Sequence, residues 1–362
     1  MDRVSPFFLG GMSIGEAWKG MMGSMDKEQS YKLLDAFFEA GGNAIDTANI
    51  YQDDQSEEWI GDWMEERGLR DRMVIATKFG SCYKAYDLGK NETRNYTGNH
   101  KKSLHLSVRD SLKKLKTDYI DILYLHWWDH TTSIEELMHS LHQLVVSGKV
   151  LYLGISDTPA WIVSAANTYA EREGLTPFAV YQGQWSVMVR DFERDILPMA
   201  RHFGMALCPW DVMGGGRLQS RKQLEERRKQ GEGLRSMFGE QELTETETKY
   251  SECLAKIAEE HQIESVTTIA LAYVLQKAPY VFPIVGGRKV EHLKSNIKAL
   301  EIVLTEDQIR AIEAVKPFEP GFPHNFVGPR PNSNNGQGGG LAAAQVGYID
   351  YVVDPKPIGA VQ

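Results

Sequence analysis

The run Met73-Val74-Ile75-Ala76-Thr77-Lys78 is too short for a helix, is rich in apolar and β-branched residues, and ends in a cation. Such a segment reads as a strand buried on both faces, because a half-exposed strand would alternate apolar with polar residues. Its neighbours have the same form. Upstream stand Phe7-Phe8-Leu9 and Asn43-Ala44-Ile45-Asp46. Downstream stand residues 119–126 (YIDILYLH), 150–156 (VLYLGIS), 178–182 (FAVYQ), 205–210 (MALCPW) and 281–285 (VFPIV). These make about eight runs, the number that closes a parallel α/β barrel.

Between the runs the spacing becomes helical. Tyr31, Leu34, Phe37 and Phe38 share a face, as do Leu104, Val108, Leu112 and Leu115. Ser133 followed by Glu136 reads as a capping box opening a helix that ends at Gly148. Strands alternating with helices imply parallel pairing, which leaves a barrel or an open sheet. The open dinucleotide-binding sheet carries G-x-G-x-x-G after its first strand, a spacing that Gly10, Gly11 and Gly15 miss. Gly15 and Gly20 have the interval of a phosphate loop, but Met21-Met22 follow where Lys and Ser or Thr are required. The expectation is a single-domain α/β protein, a (β/α)₈ TIM barrel over residues 1–316, with a Pro-, Gly- and Asn-rich irregular tail over 317–362 that is most extreme at 336–340. Two polar insertions, residues 80–100 and 219–246, follow strand ends and are expected over the top of the barrel, where lids and substrate loops sit.

Composition excludes several classes of function. The formal charge of −9, with acidic and basic residues interleaved, lacks the basic surface of a nucleic-acid binder, so any anion must be bound locally. The apolar stretch before Gly10-Gly11 is too short for a signal segment and no run reaches membrane-spanning length, which makes the expected location cytoplasmic, away from membranes. Cys82, Cys208 and Cys253 are widely spaced and odd in number, as suits reduced thiols.

In a barrel, catalytic groups sit at the carboxyl ends of the strands. Here three consecutive runs end in Asp46, Lys78 and His126, and later ones in Ser156-Asp157, Gln182, Trp210 and Gly286. Singly, Asp46 could cap a turn, Lys78 could reach back to solvent, and His126 could be a satisfied buried ring. Together, at one height on neighbouring strands, they argue for a site. A metal reading is weaker, since no H-x-H, H-E-x-x-H or Cys/His cluster accompanies them. Tyr51, five residues past Asp46, is the tyrosine best placed to use a lysine that favours its phenolate, with Asp46 holding Lys78 charged. His126 would add a second donor toward a carbonyl oxygen.

These motifs resemble the aldo-keto reductase superfamily from about Phe7 to Leu300: Asp46-Thr47-Ala48 with Tyr51, Lys78 in IATK, and His126 in LYLH. The resemblance implies Tyr51 as proton donor, Asp46 and Lys78 as its tuning pair, and His126 as the group orienting the substrate carbonyl. It also implies nicotinamide contacts at Ser156, Asp157 and Gln182, stacking by Trp185, and a pyrophosphate loop over Asp211, Val212, Met213, Gly214, Gly215, Gly216, Arg217 and Leu218. Asp157 departs from the more usual Asn, so its contact would rest on accepting from the carboxamide nitrogen. Gly286, Gly287, Arg288, Lys289, His292 and Asn296, with Lys294, resemble the adenosine grip, and Arg288 with Lys289 would suit a 2′-phosphate, favouring NADP(H) over NAD(H).

Within the superfamily, residues 46–58 (DTANIYQDDQSEE), 150–161 (VLYLGISDTPAW), 190–198 (RDFERDILP) and 283–293 (PIVGGRKVEHL) are similar to the fungal aryl-alcohol dehydrogenase branch, which also contains norsolorinic acid reductase-like enzymes of secondary metabolism. That implies reversible reduction of an aromatic aldehyde or ketone to its alcohol, with Trp18, Met21, Trp127 and Trp128 as walls of the pocket. The resemblance equally admits a nucleotide-sensing binding module like the potassium-channel β-subunits. The chain starts almost at its first strand, without the usual hairpin under the barrel, so the start is shortened or another segment covers that end.

Overall fold

The computed structural model describes residues 4–22, 25–219, 243–328 and 357, the side chains of Met21, Met22 and Lys90 excepted. The chain divides into two compact units, the first formed by Met1–Gln184, Ile196–Asp211 and Phe282–Ile297, the second by Trp185–Asp195, Val212–Val281 and Lys298–Gln362.

The first unit carries eight strands: β1 (Phe8–Gly10), β2 (Ala44–Asp46), β3 (Val74–Phe79), β4 (Ile120–Leu125), β5 (Val150–Ser156), β6 (Val180–Gln184), β7 (Ala206–Trp210) and β8 (Ile284–Val285). They lie in the order β7-β6-β5-β4-β3-β2-β1-β8, and each neighbouring pair is parallel. The remaining gap is bridged just before β8, where Phe282 N–H donates to the Leu207 carbonyl at 2.7 Å. This is the (β/α)₈ barrel that the eight apolar runs imply, and β3 to β5 are almost entirely buried because helices cover their outer faces. The barrel interior is filled by Phe8, Ala44, Val74, Ala76, Ile122, Tyr124, Val180 and Cys208, with Val4 packed against them. Ser5 N–H donates to Asn43 Oδ1 at 2.7 Å, which ties the segment before β1 to the start of β2.

The helices Lys27–Glu39 and Gln55–Arg67 cover β1 to β3 with a layer of Leu33, Leu34, Phe37, Ile60, Trp63 and Met64. Gly61 lets helix Gln55–Arg67 approach the end of helix Lys101–Lys114, since a Cβ there would overlap the Lys114 carbonyl. In the sheet, Lys78, Tyr124 and Gly154 stand opposite one another on β3, β4 and β5. The Tyr124 ring occupies the volume that a side chain on Gly154 would need.

Helix Ile134–Val146 begins where its sequence signal places it, with Ser133 accepting from Glu136 N–H. The box is not reciprocal, however: the Glu136 carboxylate accepts from Lys101 N–H at 3.1 Å, one of the unpaired donors at the start of the preceding helix. In the second unit, helices Glu245–Glu260 and Glu306–Val315 each open with a full capping box, Thr244 with Glu247 and Thr305 with Gln308. Of the insertion over 219–246, residues 220–242 lie outside those described, as does the glycine-rich stretch 336–340. The first residues of the tail are ordered by cation–π contacts, with Phe318 5.4 Å from the guanidinium carbons of both Arg190 and Arg194.

Candidate active site

Asp46 closes β2 opposite Ala76, so Lys78, two residues on, points to the same side one pleat higher. Its ammonium donates to Asp46 Oδ1 at 2.6 Å and to the Thr47 carbonyl at 2.8 Å. Both side chains are buried, at 0% and 4% exposure, and an ammonium there survives only because it is paired. Burial, the largest single influence, would lower the value of Lys78, but the charges of Asp46 and Tyr51 and the hydrogen bonds to them together outweigh it and hold Lys78 above the ordinary lysine range. Gln182 completes the support from β6, its amide nitrogen donating to Asp46 Oδ2 at 2.9 Å.

The Tyr51 hydroxyl lies 3.4 Å from Lys78 Nζ. Burial pushes the phenol above its ordinary value, and the Lys78 charge pulls it only part of the way back. This corrects the expectation that the lysine brings the phenol down: desolvation wins, and Tyr51 keeps its proton until a strong base is in reach. Tyr51 sits on an unusual turn. Gln52, Asp53 and Asp54 have φ of 53°, 52° and 78°, three consecutive left-handed residues without a glycine. Each costs about 1–2 kcal/mol, so the turn persists only because its surroundings dictate it. Gln52 accepts from Trp18 N–H at 2.8 Å and donates to the Met12 carbonyl at 2.8 Å, and Asp53 accepts from the Trp18 indole at 3.0 Å. Asp54 is gripped by Lys114, Lys84 and the Tyr86 hydroxyl, each at 2.5 Å.

His126 follows β4 directly, and its Nδ1 lies 2.9 Å from Ser81 Oγ. Burial, then the Lys78 charge, hold the imidazole well below its ordinary value, so it is neutral and carries a single ring proton. If the Ser81 hydroxyl donates to Nδ1, that proton sits on Nε2, the atom then left for a ligand oxygen. The rings form an aromatic wall: Trp18 edge-on to Tyr51 at 6.2 Å, Tyr51 edge-on to His126 at 5.9 Å, and Trp127 tilted against His126 at 4.2 Å. Trp127 is 42% exposed, an apolar face open to a ligand. Its carbonyl is held by Asn99, and Trp128 is only partly buried.

Ser156 ends β5 in the same unit and Asp157 follows it, accepting from Ser156 Oγ at 3.1 Å and from the Trp210 indole at 3.0 Å. Asp157 is open to solvent, yet the walls of the barrel mouth crowd its carboxyl and raise it above the ordinary aspartate range. After β8, Gly286 has open space where a side chain would stand, Arg288 is half-buried and Lys289 is exposed at the start of helix Val290–Ile297. In that helix Asn296 is buried, while His292 and Lys294 are exposed. Asp211 accepts from the Gln184 amide at 2.9 Å. In the second unit Val212 is buried, Met213 precedes a turn in which Gly214, Gly215 and Gly216 are all left-handed, Arg217 pairs with Glu247 at 2.8 Å, and Leu218 is buried. Trp185, also of the second unit, is fully buried, stacked on Phe192 at 4.9 Å and bonded to Glu193.

The structure thus brings Asp46, Tyr51, Lys78, His126, Ser156, Asp157 and Gln182 to one end of one barrel. Sequence reasoning missed Ser81, the bond from Gln182 to Asp46, and the grip on Asp54. The first lies three residues past Lys78 and was within reach; the others depend on side-chain directions that no spacing encodes. Among the described residues no group of three His, Cys, Asp or Glu could hold a metal ion, and no helix is long and apolar enough to cross a membrane.

A parallel eight-stranded barrel with a buried Asp–Lys pair under a tyrosine and a histidine at the strand ends defines an oxidoreductase of the aldo/keto reductase family. The chain belongs to that family: the family model matches residues 6–317. It is 54% identical over 332 residues to the aryl-alcohol dehydrogenase (NADP+) of Phanerodontia chrysosporium, covering 90% of this chain and 86% of that one. Two further relatives are the aldo-keto reductase ausK of Emericella nidulans, 57% identical over 360 residues (99% and 89% covered), and norsolorinic acid reductase B of Dothistroma septosporum, 49% over 362 residues (98% and 91%). Members of this family use a nicotinamide nucleotide.

Proposed function

We propose that this protein reversibly reduces an aromatic aldehyde or ketone to the alcohol with NADPH, Tyr51 donating the proton. The observation that carries the reading is the buried line from Asp46 through Lys78 to Tyr51, ending beside His126 at a wall of aromatic rings. NADPH, when bound, supplies the hydride. The substrate oxygen would lie between Tyr51 Oη and His126 Nε2, and as the carbonyl carbon takes up hydride and the π pair of C=O moves onto oxygen, both donors stabilise the alkoxide. The Tyr51 proton passes to that oxygen, and the phenolate left behind is balanced by Lys78, which Asp46 and Gln182 keep in place. Trp18 and Trp127 would flank an aromatic substituent. The location we propose is the cytoplasm.

Several features support a nucleotide here. The space above Gly286 admits a ligand, and Arg288 and Lys289 offer cations at a helix start for a 2′-phosphate. Ser156, Asp157 and Gln182 stand at the strand ends for the carboxamide. Replacing Arg288 with Ala should raise the KM for NADPH about tenfold or more while leaving that for NADH nearly unchanged, the loss of one charge-assisted contact. An equal effect on both cofactors would remove the case for NADPH.

Asp157 gives a pH-dependent prediction. Its carboxyl accepts from the carboxamide most strongly when ionised, and its value is raised, so NADPH affinity should begin to weaken with acidification at a higher pH than for an ordinary aspartate. In Asp157→Asn that dependence should flatten, as read from NADPH fluorescence titrations at several pH values. The experiment that tests the function itself is NADPH consumption across benzaldehydes and polycyclic ketones, with NADH as control. Binding without multiple turnovers on any of them would favour the nucleotide-sensing module instead.

A further inference from the structure

The loop after β3 is expected from its sequence to lie over the top of the barrel, where lids and substrate loops sit. Its first residues have other work: Ser81 holds the His126 ring, and three residues later Lys84 reaches Asp54, at the far end of the turn that bears Tyr51. We propose that residues 81–86 act as a brace for the reacting groups, with Lys84 and Tyr86 as positioning residues that hold the left-handed turn and thereby set the distance from Tyr51 to Lys78. This rests on the reading of Tyr51 as proton donor.

The turn has little stability of its own, since none of Gln52, Asp53 and Asp54 is a glycine and all three are left-handed. Its outer end is fixed at Asp54, which is 3% exposed and receives Lys114 on Oδ1 and both Lys84 and Tyr86 on Oδ2. Lys114 is already committed from the helix side, pairing with Glu57 at 2.6 Å as well. Lys84 and Tyr86 are therefore the contribution of the loop. The buried ring of Tyr83 lies beneath both ammoniums, 5.6 Å from Lys84 and 5.4 Å from Lys114. Tyr86 is 51% exposed as a residue, yet its hydroxyl is spent on Asp54, as in a strut rather than a ligand contact.

The test is Lys84→Met, with Lys84→Arg as the conservative variant and Tyr86→Phe as a milder one that removes a single hydroxyl. A small displacement of a reacting group lowers turnover steeply, so Lys84→Met should lose about tenfold in kcat with the KM for NADPH within about twofold, Tyr86→Phe should lose less, and Lys84→Arg should recover most of the rate. The alkaline limb of kcat should move as Tyr51 leaves Lys78; the groups around that phenol are Lys78, Asp46, Asp157 and His126. Isotope-labelled tyrosine NMR, with the Tyr51 Cζ signal assigned from Tyr51→Phe, should show that signal shifted in Lys84→Met. Wild-type kcat with an unshifted signal overturns the brace, and so does a rise confined to the KM for the carbonyl, which would make the loop a substrate contact. If the wild-type protein turns over no carbonyl at all, the functional reading fails, and the Tyr51 signal still decides whether the brace exists.

Discussion

Tyr51→Phe is expected to bind NADPH as the parent does while carbonyl reduction falls by about 10²–10⁴-fold, the range for losing a positioned proton donor. The substitution removes one hydroxyl whose protein partner is Lys78 at 3.4 Å, and the ring keeps its edge-on contacts with Trp18 and His126. A long bond of that kind contributes at most about 1 kcal/mol, so the melting temperature should barely move. Cofactor fluorescence and single-turnover kinetics measure the two halves separately. More than a tenth of the parental rate in the variant would sink the assignment of Tyr51.

Lys78→Met should damage both stability and activity. Methionine nearly fills the volume, but Asp46 is left as a buried carboxylate with only the Gln182 amide to answer it. Removing one partner of a buried pair costs about 3–5 kcal/mol at neutral pH. In the parent, Lys78 is held above its ordinary value, so its contribution is complete through neutral pH and is lost only as the pH climbs through that elevated value. The variant should therefore show its full deficit at neutral pH, shrinking only as the pH climbs through the elevated Lys78 value of the parent. Adding Asp46→Asn should restore much of the stability and none of the turnover. Denaturant unfolding at two pH values checks this; a variant with parental stability would mean that the pair contributes nothing net.

The barrel was legible because its chemistry is written linearly. Each parallel strand is a continuous apolar run, and Asp46, Lys78 and His126 break those runs at their carboxyl ends, Lys78 one pleat above Asp46 and His126 one above Lys78. Tyr51 could be placed in a loop but not on its turn, because Gln52, Asp53 and Asp54 adopt left-handed backbone only under tertiary bonds from Trp18, Lys84 and Lys114. The direction of the Tyr51 phenol was misread for a related reason: a neighbouring charge can be guessed from a motif, whereas the depth of burial opposing it belongs to the packed barrel. Glu136 shows the same at small scale, its local partner replaced by Lys101 from another helix.

The Tyr124 ring resting where Gly154 has no side chain has a bearing on how this barrel can change over generations. The two positions share one parcel of volume beside Lys78, whose ammonium lies 5.8 Å from the centre of the Tyr124 ring. A lineage that enlarges residue 154 must first shrink residue 124, passing through a form with a hollow beside Lys78, while the reverse order meets a collision. Substitutions at the rim can be tried one at a time; at this level they must come in pairs, which is reason enough for the floor of the site to drift more slowly than its walls.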